Sequence, residues 1–176
     1  RMLAITLGPD KVLKLISANY PSLDIASING EQQTVVSGPN SDIAQLASNL
    51  QDQGVLAVEL DTSHAFHSRM MDPVIASFSD LFEDIKLNPP SIPIISNLTG
   101  NVVQSDQICT PDYWCNQLRS TVQFYESLQT LKEIEGDSIW LEIGPGRALC
   151  NMANTIKRPA LANFPTLPPV KSAVSS

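Results

Sequence analysis

The chain has 176 residues, 43% of them hydrophobic and 16% charged, with a net charge of −7 and a mean hydropathy of −0.01. This composition excludes wholesale disorder, and an acidic balance without any basic stripe argues against nucleic acid as a partner. No apolar run reaches the length of a transmembrane helix and no signal peptide is visible, so no membrane partner and a cytoplasmic setting are expected. The length suits one ordinary domain or two small lobes. Arg1 leads straight into a strand-like run, which reads as an interior piece of something longer.

Met2 to Leu7 reads as a short buried strand, broken by Gly8-Pro9-Asp10. Asp10 is expected to cap a helix whose apolar positions are Val12, Leu13, Leu15 and Ile16, ending at Asn19-Tyr20-Pro21. Leu23 to Ile28 alternates as a strand, Asn29-Gly30 is a strong turn signal, and Gln33 to Ser37 is a β-branched strand. Gly38-Pro39-Asn40-Ser41 opens a helix with Ile43, Leu46, Ala47 and Leu50 on one face, and Val55 to Leu60 is a further strand. The order β-α-β-β-α-β is the split pattern of ferredoxin-like folds.

Beyond it, Val74 to Ile85 has helical spacing, with Ile75, Phe78, Leu81, Phe82 and Ile85 expected to face a core. Ile92 to Ser96 reads as a buried parallel strand. Asn97 follows it at once, either as a crevice-lining residue or as a plain turn former. Helices are expected from Pro111 towards Leu118 and over Val122–Ile134, then a strand over Ser138–Ile143. The turn Gly144-Pro145-Gly146-Arg147 leads into a helix over Ala148–Ile156. That turn lacks the spacing of a dinucleotide or P-loop signature and reads as structural. From Arg158 the prolines multiply, as in an extended linker or tail. Cys109, Cys115 and Cys150 form no metal spacing and read as reduced thiols.

The only two histidines, His64 and His67, lie in Ser63-His64-Ala65-Phe66-His67-Ser68-Arg69-Met70-Met71-Asp72-Pro73, at a strand-to-helix junction. Taken locally, this is either a surface turn with solvated histidines or a station for proton transfer near neutral pH. A metal reading through His64, His67 and Asp72 lacks a further ligand, and no metal is expected.

Four ordered stretches carry a resemblance: Ile25 to Gly30 with Val36-Ser37-Gly38; His64 to Ser68 with Met71 and Pro73; Ser96 to Gly100 with Tyr113-Trp114, Leu118-Arg119 and Val122-Gln123-Phe124; and Leu141 to Gly146 with Leu149. The set resembles the acyltransferase domain of modular polyketide synthases and the related malonyl-CoA:acyl carrier protein transacylases. The implied fold is α/β. Residues 1–61 would be a ferredoxin-like α+β lobe, 62–157 the C-terminal part of an α/β-hydrolase-like acyltransferase core, and 158–176 a Pro-rich tail.

The resemblance implies that a serine in a Gly-His-Ser-x-Gly elbow attacks malonyl-CoA and passes the malonyl unit to the phosphopantetheine thiol of an acyl carrier protein. His67 would be the general base, with a backbone carbonyl at Gln117 orienting its ring and Asn97 near the active site. His64 and Phe66 fall where the family separates extender units, and a His-Ala-Phe-His string goes with malonyl specificity. No bound cofactor is implied. Malonyl-CoA is substrate, the carrier protein acceptor, and neighbouring ketosynthase and linker domains are partners.

No Gly-x-Ser-x-Gly elbow occurs in these 176 residues. In the family the elbow, the oxyanion loop and the malonyl-binding arginine lie upstream of Arg1, so the missing N-terminal acyltransferase segment is a further expected partner, and the chain alone is expected to be inactive. The alternative is a non-catalytic remnant that docks other parts of a synthase.

Overall fold

Alternation along the first strand decides how the first sixty residues fold. Leu3 and Ile5 point to one side and Met2 and Ala4 to the other, and both sides bury apolar groups. The computed structural model describes residues 1–135, 138–156 and 164–167. Strands β1 (Met2–Ile5), β2 (Asp24–Gly30), β3 (Gln33–Ser37) and β4 (Ala57–Leu60) form one antiparallel sheet in the order β2-β3-β1-β4. Helices α1 (Pro9–Asn19) and α2 (Asn40–Asp52) cover one face of it. Val12, Ile16, Ile43, Leu46 and Leu50 from the helices meet Leu3, Ile5 and Val36 from the sheet. Full burial of each such side chain is worth roughly 1.5–3 kcal/mol, so this core fixes the sheet under the segments that cross it.

Several expectations are corrected here. Asp10 does not cap α1; Gly8 occupies the cap position and Asp10 sits in the first turn, where its charge complements the helix dipole. The hairpin turn is not Asn29-Gly30. Strand β2 runs through Gly30, which pairs with Gln33, and the chain reverses at Glu31-Gln32. Two register shifts in this ladder and a hydrogen bond between Ser27 and Asn29 side chains keep Asn29 in the strand. The fourth strand starts at Ala57 rather than Val55 and forms the sheet's edge.

After the sheet come a 3-10 turn (Arg69–Met71) and α3 (Asp72–Asp80). The helix expected to reach Ile85 stops at Asp80 and continues as turns. None of its residues is buried, and Leu81 and Ile85 are exposed, so the apolar face expected to be core is not core among the described residues. Its packing partners are α5 (Pro111–Arg119) and the 3-10 turn. The expected strand at Ile92–Ser96 is reduced to a single bridge between Ile95 and Val102, because no neighbouring strand lies beside it among the described residues. A short helix, α4 (Ser105–Ile108), precedes α5, which Thr110 caps through its hydroxyl to the Tyr113 N–H. Helix α6 spans Phe124–Glu135.

Contacts divide the chain into two compact units, Arg1–Thr130 and a second beginning at Leu131. In the second, β5 (Leu141–Pro145) pairs in parallel with β6 (Phe164–Leu167), so part of the stretch expected as linker is a strand. The Glu142 carboxylate accepts from the Leu149 and Cys150 N–H groups at the start of α7 (Ala148–Ala153), which ends before the expected Ile156. The remainder of the expected 158–176 tail lies outside the described residues. Cys109, Cys115 and Cys150 form no disulfide among the described residues.

Candidate active site

The loop between β4 and the 3-10 turn is fixed at almost every residue. Ser68 is fully buried; its hydroxyl donates to the Ala65 carbonyl (2.6 Å) and accepts from the Met70 N–H (3.2 Å). Ser37, fully buried at the end of β3, donates to the Phe66 carbonyl at 2.7 Å. Arg69 gives its backbone N–H and its guanidinium to the Asp24 carboxylate at 2.7–3.1 Å. Between these anchors His67 adopts φ 56, the one left-handed non-glycine residue among those described. Such a conformation is uncommon outside glycine, although histidine with Asn and Asp adopts it more readily than other residues, and it persists where the surroundings hold it.

The ring of His67 is half-buried, and its Nδ1 lies 3.1 Å from the Ser120 carbonyl oxygen. A carbonyl can only accept, so Nδ1 carries the proton and Nε2 presents a lone pair. Burial pushes the imidazole below its ordinary pKa; the backbone carbonyls of Ser120 and Gln117 act against this and only partly offset it. The ring is therefore a neutral base with a fixed tautomer at neutral pH. The Gln117 carbonyl anticipated from the sequence is the lesser of two acceptors, and Ser120 supplies the hydrogen bond of good length.

The segment that carries Ser120 is itself locked to the sheet. The Thr121 hydroxyl donates to the Ile25 carbonyl at 2.6 Å. Val122 bridges to β2 through its N–H to the Ala26 carbonyl and its carbonyl from the Ile28 N–H, both at 2.9 Å. Next along, the Gln123 N–H reaches the Asn97 carbonyl at 2.6 Å, and the Ser127 hydroxyl reaches the Asn97 side-chain oxygen at 3.0 Å. Asn97 thus ties the turn before Gly100 to the start of α6. It makes no hydrogen bond with His67 and meets it only through residues 120–123. That turn needs glycine: Gly100 has φ 76, and a Cβ there would run into the Glu126 side chain.

His64 and Phe66 stand together on the outer side of the loop, with ring centroids 5.9 Å apart and planes tilted by 58°. His64 is exposed and its Nδ1 lies 2.9 Å from the Ser63 hydroxyl. An open groove of about 650 Å³ runs beside Ser120 and Thr121, lined also by Asp24, Arg69 and Arg119. Both arginines are paired, Arg69 with Asp24 and Arg119 with Asp72. Sequence reasoning missed Ser37, Ser68, Ser120 and Thr121. Ser37 and Ser68 stood inside the stretches that carried the resemblance, but a serine hydroxyl has no spacing rule that marks its acceptor.

The acyl transferase domain family matches residues 1–160. The chain belongs to that family. It is 33% identical over 151 residues to the non-reducing polyketide synthase tpeB of Talaromyces stipitatus, across 84% of this chain and 7% of that protein. Among solved structures it is similar to the acyltransferase domain from the second module of the salinomycin polyketide synthase, with a TM-score of 0.86 and 30% identity over 95% of this chain and 39% of that one. It is also similar to the acyl transferase domain of SpnD in complex with 2-(pent-4-yn-1-yl)malonyl, with a TM-score of 0.89 and 27% identity over 97% of this chain and 41% of that one. The chain therefore spans less than half of these two solved acyltransferase domains and a small fraction of the synthase. These relatives do not favour the docking-remnant alternative. No helix among the described residues is long and apolar enough to cross a membrane.

Proposed function

We propose that this acyl transferase chain supplies the general base and one wall of the acyl pocket of a polyketide synthase acyltransferase. That enzyme would move a malonyl unit from malonyl-CoA to the phosphopantetheine thiol of an acyl carrier protein. The observation that carries this reading is the His67 ring, tautomer-fixed by the Ser120 carbonyl with Nε2 available as acceptor. In the first half-reaction His67 Nε2 takes the proton of a serine hydroxyl as the oxygen attacks the malonyl thioester, then returns that proton to the departing CoA thiolate. In the second it takes the carrier thiol's proton as sulfur attacks the serine ester, and returns it to the serine oxygen. No cofactor is needed for either transfer.

The serine is not among these 176 residues, so the reading requires the preceding acyltransferase segment as partner, with neighbouring ketosynthase and linker domains in a cytoplasmic synthase. Gln117 and Asn97 act beside the base, Gln117 through its backbone carbonyl and Asn97 by holding residues 120–123. The strand order β2-β3-β1-β4 under two helices supports a ferredoxin-like lobe over residues 1–61. Residues 62–157 then belong to an α/β-hydrolase-like core.

The test joins or mixes this chain with the preceding segment and follows transfer of labelled malonyl to a carrier protein. His67→Ala should lower the rate by about 10²–10⁴-fold, the usual worth of a general base. Near-full activity in that variant would sink the assignment.

Phe66 and His64 form the selectivity wall in this reading. An aromatic ring at Phe66 fills space that a substrate α-methyl would need, and one methyl is worth about 1–3 kcal/mol of discrimination. Phe66→Ser should therefore narrow the malonyl-over-methylmalonyl ratio of kcat/KM by about tenfold or more. An unchanged ratio would remove Phe66 from the pocket.

A further inference from the structure

Two anchors of the His67 loop and one of the Ser120 segment converge on one corner of the small sheet. Strand positions Asp24 and Ser37 face each other across the β2–β3 ladder, and Ile25 and Val36 form the next pair. Ser37 holds the Phe66 carbonyl, one residue before the histidine. Asp24 holds the Arg69 N–H and guanidinium, two residues after it. Ile25 holds the Thr121 hydroxyl, one residue beyond the carbonyl against which the imidazole rests. The donor and the acceptor of the His67–Ser120 bond are separated by 53 residues of chain, yet both are set from two adjacent rungs of the same ladder.

We propose that Ser37 and Thr121 are positioning residues for the base: from the small sheet they fix, respectively, the backbone that carries His67 and the Ser120 carbonyl that selects its tautomer. The proposal rests on His67 being the base, but the geometry it asserts can be measured without any transfer activity. A hydrogen bond of an imidazole to a carbonyl tolerates little displacement before it weakens, because alignment as well as distance must hold. Holding only one partner would leave the other free to drift. The left-handed backbone at His67 is an uncommon conformation that the surroundings must hold, and buried Ser37 is the contact from the sheet nearest to it in sequence. The charged groups on the flanking elements, Asp24 with Arg69 and Asp72 with Arg119, are paired with each other and remain unaltered in the variants below.

Thr34 provides the control. It is fully buried in the same strand and its hydroxyl donates to the Leu7 carbonyl at 2.8 Å, so Thr34→Val removes a comparable hydrogen bond without touching the loop. The experiment records nitrogen–proton NMR spectra of the imidazole rings in the 176-residue chain, with His64→Gln used to assign the second histidine. In the parent chain and in Thr34→Val, His67 should be the Nδ1–H tautomer. In Ser37→Ala and in Thr121→Val it should move towards the Nε2–H mixture of an unheld imidazole, and its titration midpoint should shift relative to the parent. In the completed acyltransferase the same two variants should lower kcat by about 10–100-fold with little change in KM, the scale of a misplaced catalytic group. Should Ser37→Ala not fold, Thr121→Val, which keeps the β-branched shape, carries the same expectation alone. An unchanged His67 tautomer in the folded variants, or an equal change in Thr34→Val, overturns the proposal. Failure of His67→Ala to slow transfer would instead overturn the function assigned to the base while leaving the positioning result standing.

Discussion

His67 depends on what it cannot do as much as on what it can. Its Nδ1 proton is committed to the Ser120 carbonyl, and burial disfavours adding a second proton. The folded-state pKa therefore lies below the ordinary 6.5. As pH falls through 6.5 the unfolded chain takes up a proton before the folded one, so the ring's contribution to stability is present above 6.5 and is lost below it, as pH passes through the lowered folded value. In its proposed role as base, His67 stays neutral in the interval above 6.5. Transfer by the completed enzyme should stay level as pH is lowered to 6.5 and decline only beneath it. A pH–rate profile of kcat/KM checks this, and a decline centred above 6.5 would contradict it. The sequence singles out His67 because only two histidines exist and one stands at the family's spacing from Met71. Its acceptor was legible only to within a few residues, since a backbone carbonyl carries no side-chain signature, and the extended turn after α5 brings Ser120 rather than Gln117 into best range.

At the scale of elements, the loop that bears His67 is a strap between β4 and α3 whose far end is held by Asp24 at the start of β2. Burial alone would raise that carboxyl; hydrogen bonds from the Arg69 guanidinium and backbone N–H outweigh it and hold the group below its usual 3.8. Asp24 therefore stabilises the fold at pH above 3.8, and the contribution is lost as the pH drops below that value and the folded state too is protonated. Asp24→Asn should cost about 1 kcal/mol or less near neutrality, the scale of a solvent-accessible ion pair, and should flatten the acid limb of the stability curve. Thermal melts across the acid range measure both, and an unaltered acid limb would rule out Asp24 as the tether. The strands and helices of the first sixty residues were legible because two periods, 2 and 3.6, are both satisfied by one core. The hairpin turn was not. Asn29-Gly30 has the residues of a tight turn, but the register shifts in β2 move the reversal two residues on. The helix after the loop was over-read for a related reason: spacing shows that Ile75, Phe78, Leu81, Phe82 and Ile85 share a face, and cannot show what the face meets.

The molecule as a whole is divided between a region that closes on itself and one that does not. Leu3 to Leu50 bury a continuous core between sheet and helices. Between Leu81 and Ile94 several apolar residues face outward: Leu81 is 65% exposed, Ile85 53% and Ile92 74%, while Phe82 and Leu87 are only partly exposed. Singly exposed apolar residues are ordinary, but several within one short stretch, beside a run that found only one bridge of its intended ladder, make a surface that water penalises. The net charge of −7 opposes association only at long range and is screened over about 8 Å at physiological ionic strength. The apolar term should therefore win at contact. The chain by itself is expected to self-associate in a concentration-dependent way, more so as salt is raised, with little change in the order of the small sheet. Replacing Leu81 and Ile92 by Lys should suppress association without lowering the melting temperature of the first sixty residues, because neither side chain belongs to their core. Sedimentation velocity over a concentration series, with and without added salt, decides the matter. A monomer at every concentration, or association untouched by the two lysines, would mean that this face is covered by the chain itself.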